Sequence, residues 1–141
     1  INVNSQIPTF AVEDTAGNTF SSKQFIGKQS LLVFFGTYCP DCKQILPVIE
    51  EVWKELKDDP RFLLVTISRK ETAEVVSNYW KENQFTMPFY LDTRGEVFSL
   101  FANNTIPRIY IINPDNEVVW MAVESLDISA KELIQKIKGL K

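Results

Sequence analysis

A run of apolar residues follows Ser30 and continues as Leu31-Leu32-Val33-Phe34-Phe35. Such a run is typical of a strand that is buried on both faces of a parallel sheet. From about Pro40 to Lys57 the apolar positions then recur with the helical period. These positions are Ile45, Leu46, Ile49, Val52, Trp53 and Leu56. The pattern predicts a central strand that leads directly into a long helix packed on the sheet.

The rest of the chain alternates between strand-like and helix-like patterns. The predicted elements are two short strands within 8–20 around a turn at 16–18, a helical turn from 21 to about 27, a strand at 61–68, a helix at 71–83, a strand at 89–91, a helix near 96–101, a hairpin of 108–113 and 117–122, and a helix at 129–138. Ser129 and Glu132 have the spacing of a capping box at the start of the last helix. Asp92 and Arg94, after the strand at 89–91, are expected to form a turn with a surface pair. This order predicts an α/β fold, with one mixed central sheet flanked by helices on both faces.

Length and composition fit one domain. The chain has 141 residues, of which 45% are hydrophobic, so it can build a core without metal or disulfide links. The net charge of −3 gives no reason to expect nucleic acid as a partner. No stretch approaches the roughly 20 apolar residues of a membrane helix. Because the sequence starts at Ile1 rather than Met, we expect a processed or trimmed product with any targeting segment upstream.

The chain contains no histidine and only two cysteines. The absence of an imidazole removes the usual general base and the usual zinc ligand, and with them most hydrolase mechanisms. Two cysteines are too few for a disulfide framework. The candidate chemistry therefore concentrates on Cys39 and Cys42.

Cys39 and Cys42 lie where the buried strand meets the long helix, in the motif Cys39-Pro40-Asp41-Cys42. Residues three apart on a helix lie about 5–6 Å from each other, so this pair can form and break a disulfide with little backbone motion. The unpaired N–H groups of the first turn stabilise a thiolate at Cys39. Pro40 suits the first helical position, and Cys42 should be the more buried, resolving thiol.

Two other interpretations of the cysteine pair are weaker. Half of a zinc site would need two further Cys or His ligands, which the chain does not have. A purely structural disulfide would stabilise little, because the loop that it closes is so short. A redox-active pair is therefore the favoured interpretation.

The sequence resembles the thioredoxin-like oxidoreductases, most closely the TlpA/ResA-type branch. The matching segments are Pro8-Thr9-Phe10 with Asp14 and Gly17, Gly27-Lys28, the motif from Phe34 through Cys42, Pro47, and Thr105-Ile106-Pro107 with the turn that follows the next strand. The resemblance implies a single thioredoxin-like domain over 1–141, with an N-terminal hairpin extension at 1–28 and the core at 29–141. Tyr38 stands where most members have Trp, and Pro47 where the family's active-site helix is kinked.

The resemblance also implies the remaining site residues. Pro107 should follow a cis peptide bond and lie against the cysteine pair, and Ile106 should offer its backbone to an extended substrate segment. Substrate is then expected to approach an exposed rim around Cys39 that includes Tyr38 and Pro40. Arg108, directly after Pro107, is a candidate for a compensating positive charge near the thiolate.

Two departures from the family concern a buried carboxylate that serves the resolving thiol. Val33 occupies the position of the buried Asp of thioredoxins proper, and Ile45 that of the Glu found in ResA-type proteins. We hypothesise that Asp41, or water, takes the proton instead. The charge of Asp41 should also oppose thiolate formation at Cys39.

The predicted function is thiol–disulfide exchange with cysteine-containing protein substrates, as a reductase, with an upstream redox partner and without metal or organic cofactor. A thiol peroxidase is the first alternative, but Gly36 and Leu32 stand where peroxiredoxins carry Thr and Pro. A non-catalytic binding module of the same fold is the second. The resemblance implies a location on the outer, periplasmic side of the cytoplasmic membrane, with a membrane tether outside this chain. Some cytosolic thioredoxin-related proteins also carry a C-P-D-C motif, so the cytoplasm is the alternative.

Overall fold

The computed structural model describes residues 1–124 and 127–140. The predicted thioredoxin-like core at 29–141 also includes residues 125, 126 and 141, which lie outside the described residues. The strands are β1 Ala11–Glu13, β2 Thr19–Ser21, β3 Gln29–Phe35, β4 Phe62–Arg69, β5 Tyr90–Asp92, β6 Arg108–Ile112 and β7 Val118–Val123. The helices are a 3-10 turn at Ser22–Phe25, then α1 Pro40–Leu56, α2 Ala73–Glu82, α3 Glu96–Phe101 and α4 Ala130–Lys138. Each predicted element is present, with ends displaced by no more than three residues.

The seven strands form one mixed sheet in the order β2-β1-β5-β4-β3-β6-β7. β3 and β5 run parallel to β4, and β6 runs antiparallel to β3 and β7. The N-terminal hairpin continues the sheet, because Glu13 of β1 pairs with Leu91 of β5. The predicted α/β class and the thioredoxin-like arrangement are confirmed, and the hairpin extension belongs to the same sheet.

The full burial of β3 follows from its central place, because alternate residues of a strand face opposite sides of the sheet. Leu31, Val33 and Phe35 pack on the side of α1, α2 and α4. Leu32 and Phe34 pack on the other side, in an aromatic cluster. The rings of that cluster are Phe10, Phe20, Phe25, Phe98, Phe101 and Tyr110. The most apolar strand is thus enclosed from both faces, and its C-terminal end leads to the cysteines.

Three helices begin one or two residues after the predicted start, and each has a side-chain cap at its N-terminus. α2 begins at Ala73 rather than residue 71, because Thr72 accepts a hydrogen bond from the Val75 N–H and caps it. Ser129 caps α4 through the Glu132 N–H, which is one half of a capping box. A full capping box, not foreseen, starts the 3-10 turn through Ser21 and Gln24.

Asp92, the last residue of β5, is buried rather than exposed as expected. The sequence suggested a turn in which Asp92 and Arg94 form a surface pair, but Asp92 is only 5% exposed. Its carboxylate accepts hydrogen bonds from the N–H groups of Val97 (3.2 Å) and Phe98 (2.8 Å). It thereby caps α3, whose own N-cap residue, Gly95, has no side chain to do so.

Across residues 1–124 and 127–140, no helix combines the length and the apolar character needed to cross a membrane.

Candidate active site

Cys39 stands at the junction between β3 and α1. β3 ends at Phe35, three residues of loop follow, and Cys39 is the extended N-cap residue of α1. Pro40 is the first residue of the helix, as predicted, where its missing N–H leaves no bond unmade. The Cys39 sulfur therefore faces the positive end of a 17-residue helix.

The two cysteines are free thiols in the structure. The Cys42 backbone N–H donates a hydrogen bond to the Cys39 sulfur at 3.2 Å. Cys42 is completely buried and Cys39 is 8% exposed, so the predicted order of burial is confirmed. The opening at Cys39 is narrower than the exposed rim that the sequence suggested, because the neighbouring loop covers part of the sulfur.

Burial raises the pKa of the Cys42 thiol well above its ordinary value. The proximity of Cys39 and the negative charge of Asp41 act in the same direction, and the Gly36 N–H, which faces the Cys42 sulfur, opposes the rise. Cys42 therefore keeps its proton at neutral pH. The pair consists of a sulfur at the opening and a protonated thiol beneath it.

The loop that covers part of the Cys39 sulfur contains Ile106 and Pro107 and directly precedes β6. The Ile106–Pro107 peptide bond is cis, and Pro107 is buried. The Cys39 thiol donates to the Ile106 carbonyl oxygen over 3.7 Å. A segment that is 67 residues away in sequence thus lies directly against the Cys39 sulfur.

Tyr38 is 58% exposed, and its ring lies over the backbone of Gly36. A Cβ placed on Gly36 would be 2.7 Å from two ring carbons of Tyr38 and 3.0 Å from Cδ1 of Ile106. The absence of a side chain at Gly36 therefore allows the Tyr38 ring and Ile106 to approach each other. Together with the exposed Pro40, they form an apolar edge beside Cys39.

Arg108 does not lie where the sequence suggested. Its side chain is on the sheet face of Tyr110, with its guanidinium carbon 5.9 Å from the Phe98 ring centre. It donates hydrogen bonds to the carbonyl oxygens of Asn104 (2.7 Å) and Thr105 (2.8 Å). Because α1 packs on the opposite face, Arg108 is a brace for the loop rather than a charge beside Cys39. Its contact with substrate stays a prediction.

The two positions that carry a carboxylate in related proteins are filled by buried apolar side chains, Val33 and Ile45. Asp41 lies in the first turn of α1 and is half-buried. Its carboxylate is the acidic group of the motif itself, so it stays the candidate proton acceptor, with water as the alternative.

Glu71 is a buried acid of the site that the sequence did not predict. Its carboxylate, 8% exposed, accepts hydrogen bonds from the Thr37 N–H (2.8 Å), the Thr37 hydroxyl and the Ser68 hydroxyl (2.8 Å). One signal could have found it. Glu71 follows β4, and the carboxyl ends of the parallel strands β3 and β4 meet at one edge of the sheet, where the cysteines also lie.

No three Cys, Asp or Glu side chains in the described part of the chain are grouped so that they could hold a metal ion.

The chain matches one family model, and the curated proteins similar to it include thiol-disulfide oxidoreductases. The model of the AhpC/TSA family matches residues 3–121. The thiol-disulfide oxidoreductase ResA of Bacillus subtilis (strain 168) is 30% identical over 119 residues, which cover 84% of this chain and 66% of ResA. The chain therefore spans about two thirds of the length of that relative.

Two solved structures show the same fold. The solution structure of a protein assigned as a disulfide isomerase from Bacteroides thetaiotaomicron has a TM-score of 0.92 at 26% identity, over 99% of this chain and 90% of the other. The crystal structure of a thiol:disulfide interchange protein of the thioredoxin family from Chlorobium tepidum TLS has a TM-score of 0.81 at 25% identity, over 98% and 97%.

Proposed function

The chain belongs to the AhpC/TSA family, and from that premise we propose that it is a ResA-type thiol–disulfide oxidoreductase acting through Cys39 and Cys42. The observation that carries the proposal is the environment of the Cys39 sulfur. It accepts the Cys42 N–H at 3.2 Å, stands at the N-terminus of α1, and faces the Ile106 carbonyl at 3.7 Å. A helix N-terminus and an N–H donor favour a negative sulfur, which is the attacking species in disulfide exchange.

In the first step the Cys39 thiolate attacks one sulfur of a substrate disulfide. A bond forms between Cys39 and that sulfur, the substrate S–S bond breaks, and the second substrate sulfur leaves as a thiolate and takes a proton. The product is a mixed disulfide that joins the two proteins.

In the second step Cys42 loses its proton and attacks the Cys39 sulfur. The Cys39–Cys42 bond forms, the bond between Cys39 and the substrate sulfur breaks, and that sulfur leaves as a thiolate and takes a proton. The substrate is thereby reduced to a dithiol, and the Cys39–Cys42 pair is oxidised to a disulfide. An upstream dithiol partner then reduces that disulfide. Because burial raises the pKa of Cys42, this step needs a proton acceptor, for which we propose Asp41 or a water molecule. If the Asp41 carboxylate accepts the proton, Asp41→Asn slows the attack of Cys42 on the mixed disulfide. If water accepts it, the rate of this attack is unchanged.

We propose that substrate docks along the apolar edge of Tyr38, Pro40, Ile106 and Pro107. Tyr38 and Pro40 are exposed beside the sulfur, and the Ile106 backbone lies within reach of it. A shallow edge of this kind suits extended segments around a cysteine rather than a small-molecule pocket.

The peroxidase alternative has weaker support. Gly36 and Leu32 occupy the positions of the peroxiredoxin Thr and Pro, and Leu32 is a fully buried core residue.

The resemblance to ResA-type proteins also favours action as a reductase on the outer side of the cytoplasmic membrane. Fractionation of cells with antibody to this chain tests that location, and recovery only in the cytosol would contradict it.

Insulin reduction coupled to an excess of dithiol tests the activity. We expect turnover with the wild-type protein, none above background with Cys39→Ser, and slower turnover with Cys42→Ser, because its mixed disulfide is then resolved only by the added dithiol. Equal rates for wild type and Cys39→Ser would contradict disulfide exchange. Peroxide consumption in the absence of a disulfide substrate would favour the peroxidase.

A further inference from the structure

Glu71 is a buried acid that the exchange reaction itself does not use. Two of its three hydrogen bonds come from one residue, Thr37, whose N–H and hydroxyl it binds with its two different carboxylate oxygens. The third comes from Ser68, on the end of β4. Within the described residues, no Lys or Arg forms an ion pair with Glu71, so its charge is balanced by these donors.

Thr37 is the middle residue of the loop that joins β3 to Cys39. On one side of it, the Gly36 carbonyl accepts the Cys39 N–H at 3.2 Å. On the other side, the Tyr38 ring lies over Gly36 and next to Ile106. Cys39 and the apolar edge are therefore positioned by a loop whose central residue, Thr37, is held by Glu71.

We propose that Glu71 is a positioning residue for the proposed exchange reaction: by binding Thr37 at two atoms, it fixes the Gly36–Tyr38 loop and with it the Cys39 sulfur and the Tyr38 ring. The proposal rests on the proposed function for its effect on catalysis, but the geometry of the loop is measurable without turnover.

The chain offers a matched control in Glu50. This second buried carboxylate also binds one threonine at two atoms, the Thr86 N–H (2.9 Å) and the Thr86 hydroxyl (2.5 Å), and it accepts the Met87 N–H at 3.0 Å. Glu50 ties α1 to the loop before β5, away from the residues that lead into Cys39. Its loss removes the same kinds of hydrogen bond without releasing the active-site loop.

Glu71→Gln distinguishes the effect of the hydrogen bonds that hold the loop from the effect of the negative charge of Glu71. The amide oxygen can accept the Thr37 N–H and the Ser68 hydroxyl, as Oε1 does now, and the amide nitrogen can donate to the Thr37 hydroxyl. The three contacts survive while the negative charge is lost. Glu71→Ala removes both. Thr37→Val, which keeps the N–H and loses the hydroxyl, is a milder variant in case Glu71→Ala does not fold.

The experiment compares Glu71→Ala, Glu71→Gln, Thr37→Val and Glu50→Ala with wild type. Three quantities are measured in folded, reduced protein: the hydrogen-exchange rate of the Thr37 amide, the rate of Cys39 alkylation by iodoacetamide, and kcat and KM for insulin reduction. We expect Glu71→Ala to accelerate Thr37 exchange and to lower kcat/KM by about tenfold or more. Glu71→Gln should stay near wild type, Thr37→Val should lie between, and Glu50→Ala should leave all three unchanged.

Several results would overturn the proposal. An unchanged Thr37 exchange rate in Glu71→Ala excludes the positioning role, and a loss in Glu71→Gln equal to that in Glu71→Ala assigns the effect to charge. An equal loss in Glu50→Ala makes it a general effect of stability. If wild type shows no cysteine-dependent insulin reduction, the proposed function fails, while the Thr37 exchange rate still decides whether Glu71 holds the loop.

Discussion

The backbone N–H of Cys42 points at the sulfur of Cys39, 3.2 Å away. In the proposed mechanism, the main chain of the resolving residue thus helps to hold the attacking sulfur, while the Cys42 side chain lies deeper and keeps its proton. One turn of helix divides the two roles because Cys39 precedes α1 as its N-cap and Cys42 lies inside it. This difference in environment is the basis of the first two predictions.

The two thiols should differ sharply in reactivity. With limiting iodoacetamide at neutral pH, we expect a single modification, at Cys39, because Cys42 is fully buried and its pKa is raised by that burial. Peptide mass spectrometry locates the label. Cys39→Ser should then take up no label while folded, and Cys42→Ser should take up one. Preferential labelling of Cys42 would contradict this account.

The reduced protein should lose stability at high pH through Cys42. The pKa of this thiol is raised on folding, so above its ordinary value of 9.0 the unfolded chain releases a proton that the folded chain retains. The stabilisation is complete below pH 9.0 and decreases as the pH rises further. Urea titrations of reduced protein across this range measure the slope of unfolding free energy against pH.

Cys42→Ala is the control for that slope. Burial also raises the pKa values of Tyr38, Tyr79, Tyr90 and Tyr110, whose ordinary value is 10.0, so they contribute in the same direction at still higher pH. Between pH 9 and pH 10 we expect a flatter slope in Cys42→Ala than in wild type. Identical slopes would mean that Cys42 is not desolvated in the folded protein.

Gly36→Ala should change the substrate edge more than the fold. Its Cβ would lie 2.7 Å from Tyr38 ring carbons, and the ring can move because it is 58% exposed. We expect kcat/KM to fall for insulin but to change little for a small disulfide that does not reach Tyr38. Tyr38→Ala should show the same selectivity, and the double variant should be no worse than either single one. Equal losses on both substrates would place the effect at the cysteines instead.

Asp92 should be a stabilising cap. Asp92→Ala leaves the N–H groups of Val97 and Phe98 without their acceptor, and we expect a loss of about 1–2 kcal/mol in the free energy of unfolding. Arg94→Ala is the matched control. Its side chain is exposed and its contact with Glu96 is 3.9 Å long, so the change should stay within about 0.5 kcal/mol. Urea denaturation distinguishes the two, and equal effects would restore Asp92 to the surface role that its sequence context suggested.

The elements and the reactive pair could be predicted because their signals are local. The apolar run before Cys39, the helical period after it and the three-residue spacing to Cys42 all lie within one strand–loop–helix unit. The family resemblance added the Ile106–Pro107 loop, which no local pattern would have brought to the sulfur.

What could not be predicted depends on contacts between distant segments. Glu71 binds Thr37 across 34 residues of sequence, and Glu50 binds Thr86 across 36. A buried acid and a solvated one look alike in a sequence, so the sequence predicts a surface position for Asp92, which the structure buries. The face of β6 that Arg108 occupies depends on strand register, since a shift of one residue would turn its side chain toward the cysteines.

The most direct test of the central claim is a trapping experiment with Cys42→Ser and a disulfide-bonded peptide. Without its resolving thiol, the protein should accumulate a mixed disulfide, with the peptide bonded to Cys39, that dithiothreitol reverses. Mass spectrometry of the intact protein and of its peptides detects the adduct and its site. A stable adduct at Cys39 is the predicted result, and an unmodified Cys39 under conditions in which free cysteine reduces the peptide would contradict the account.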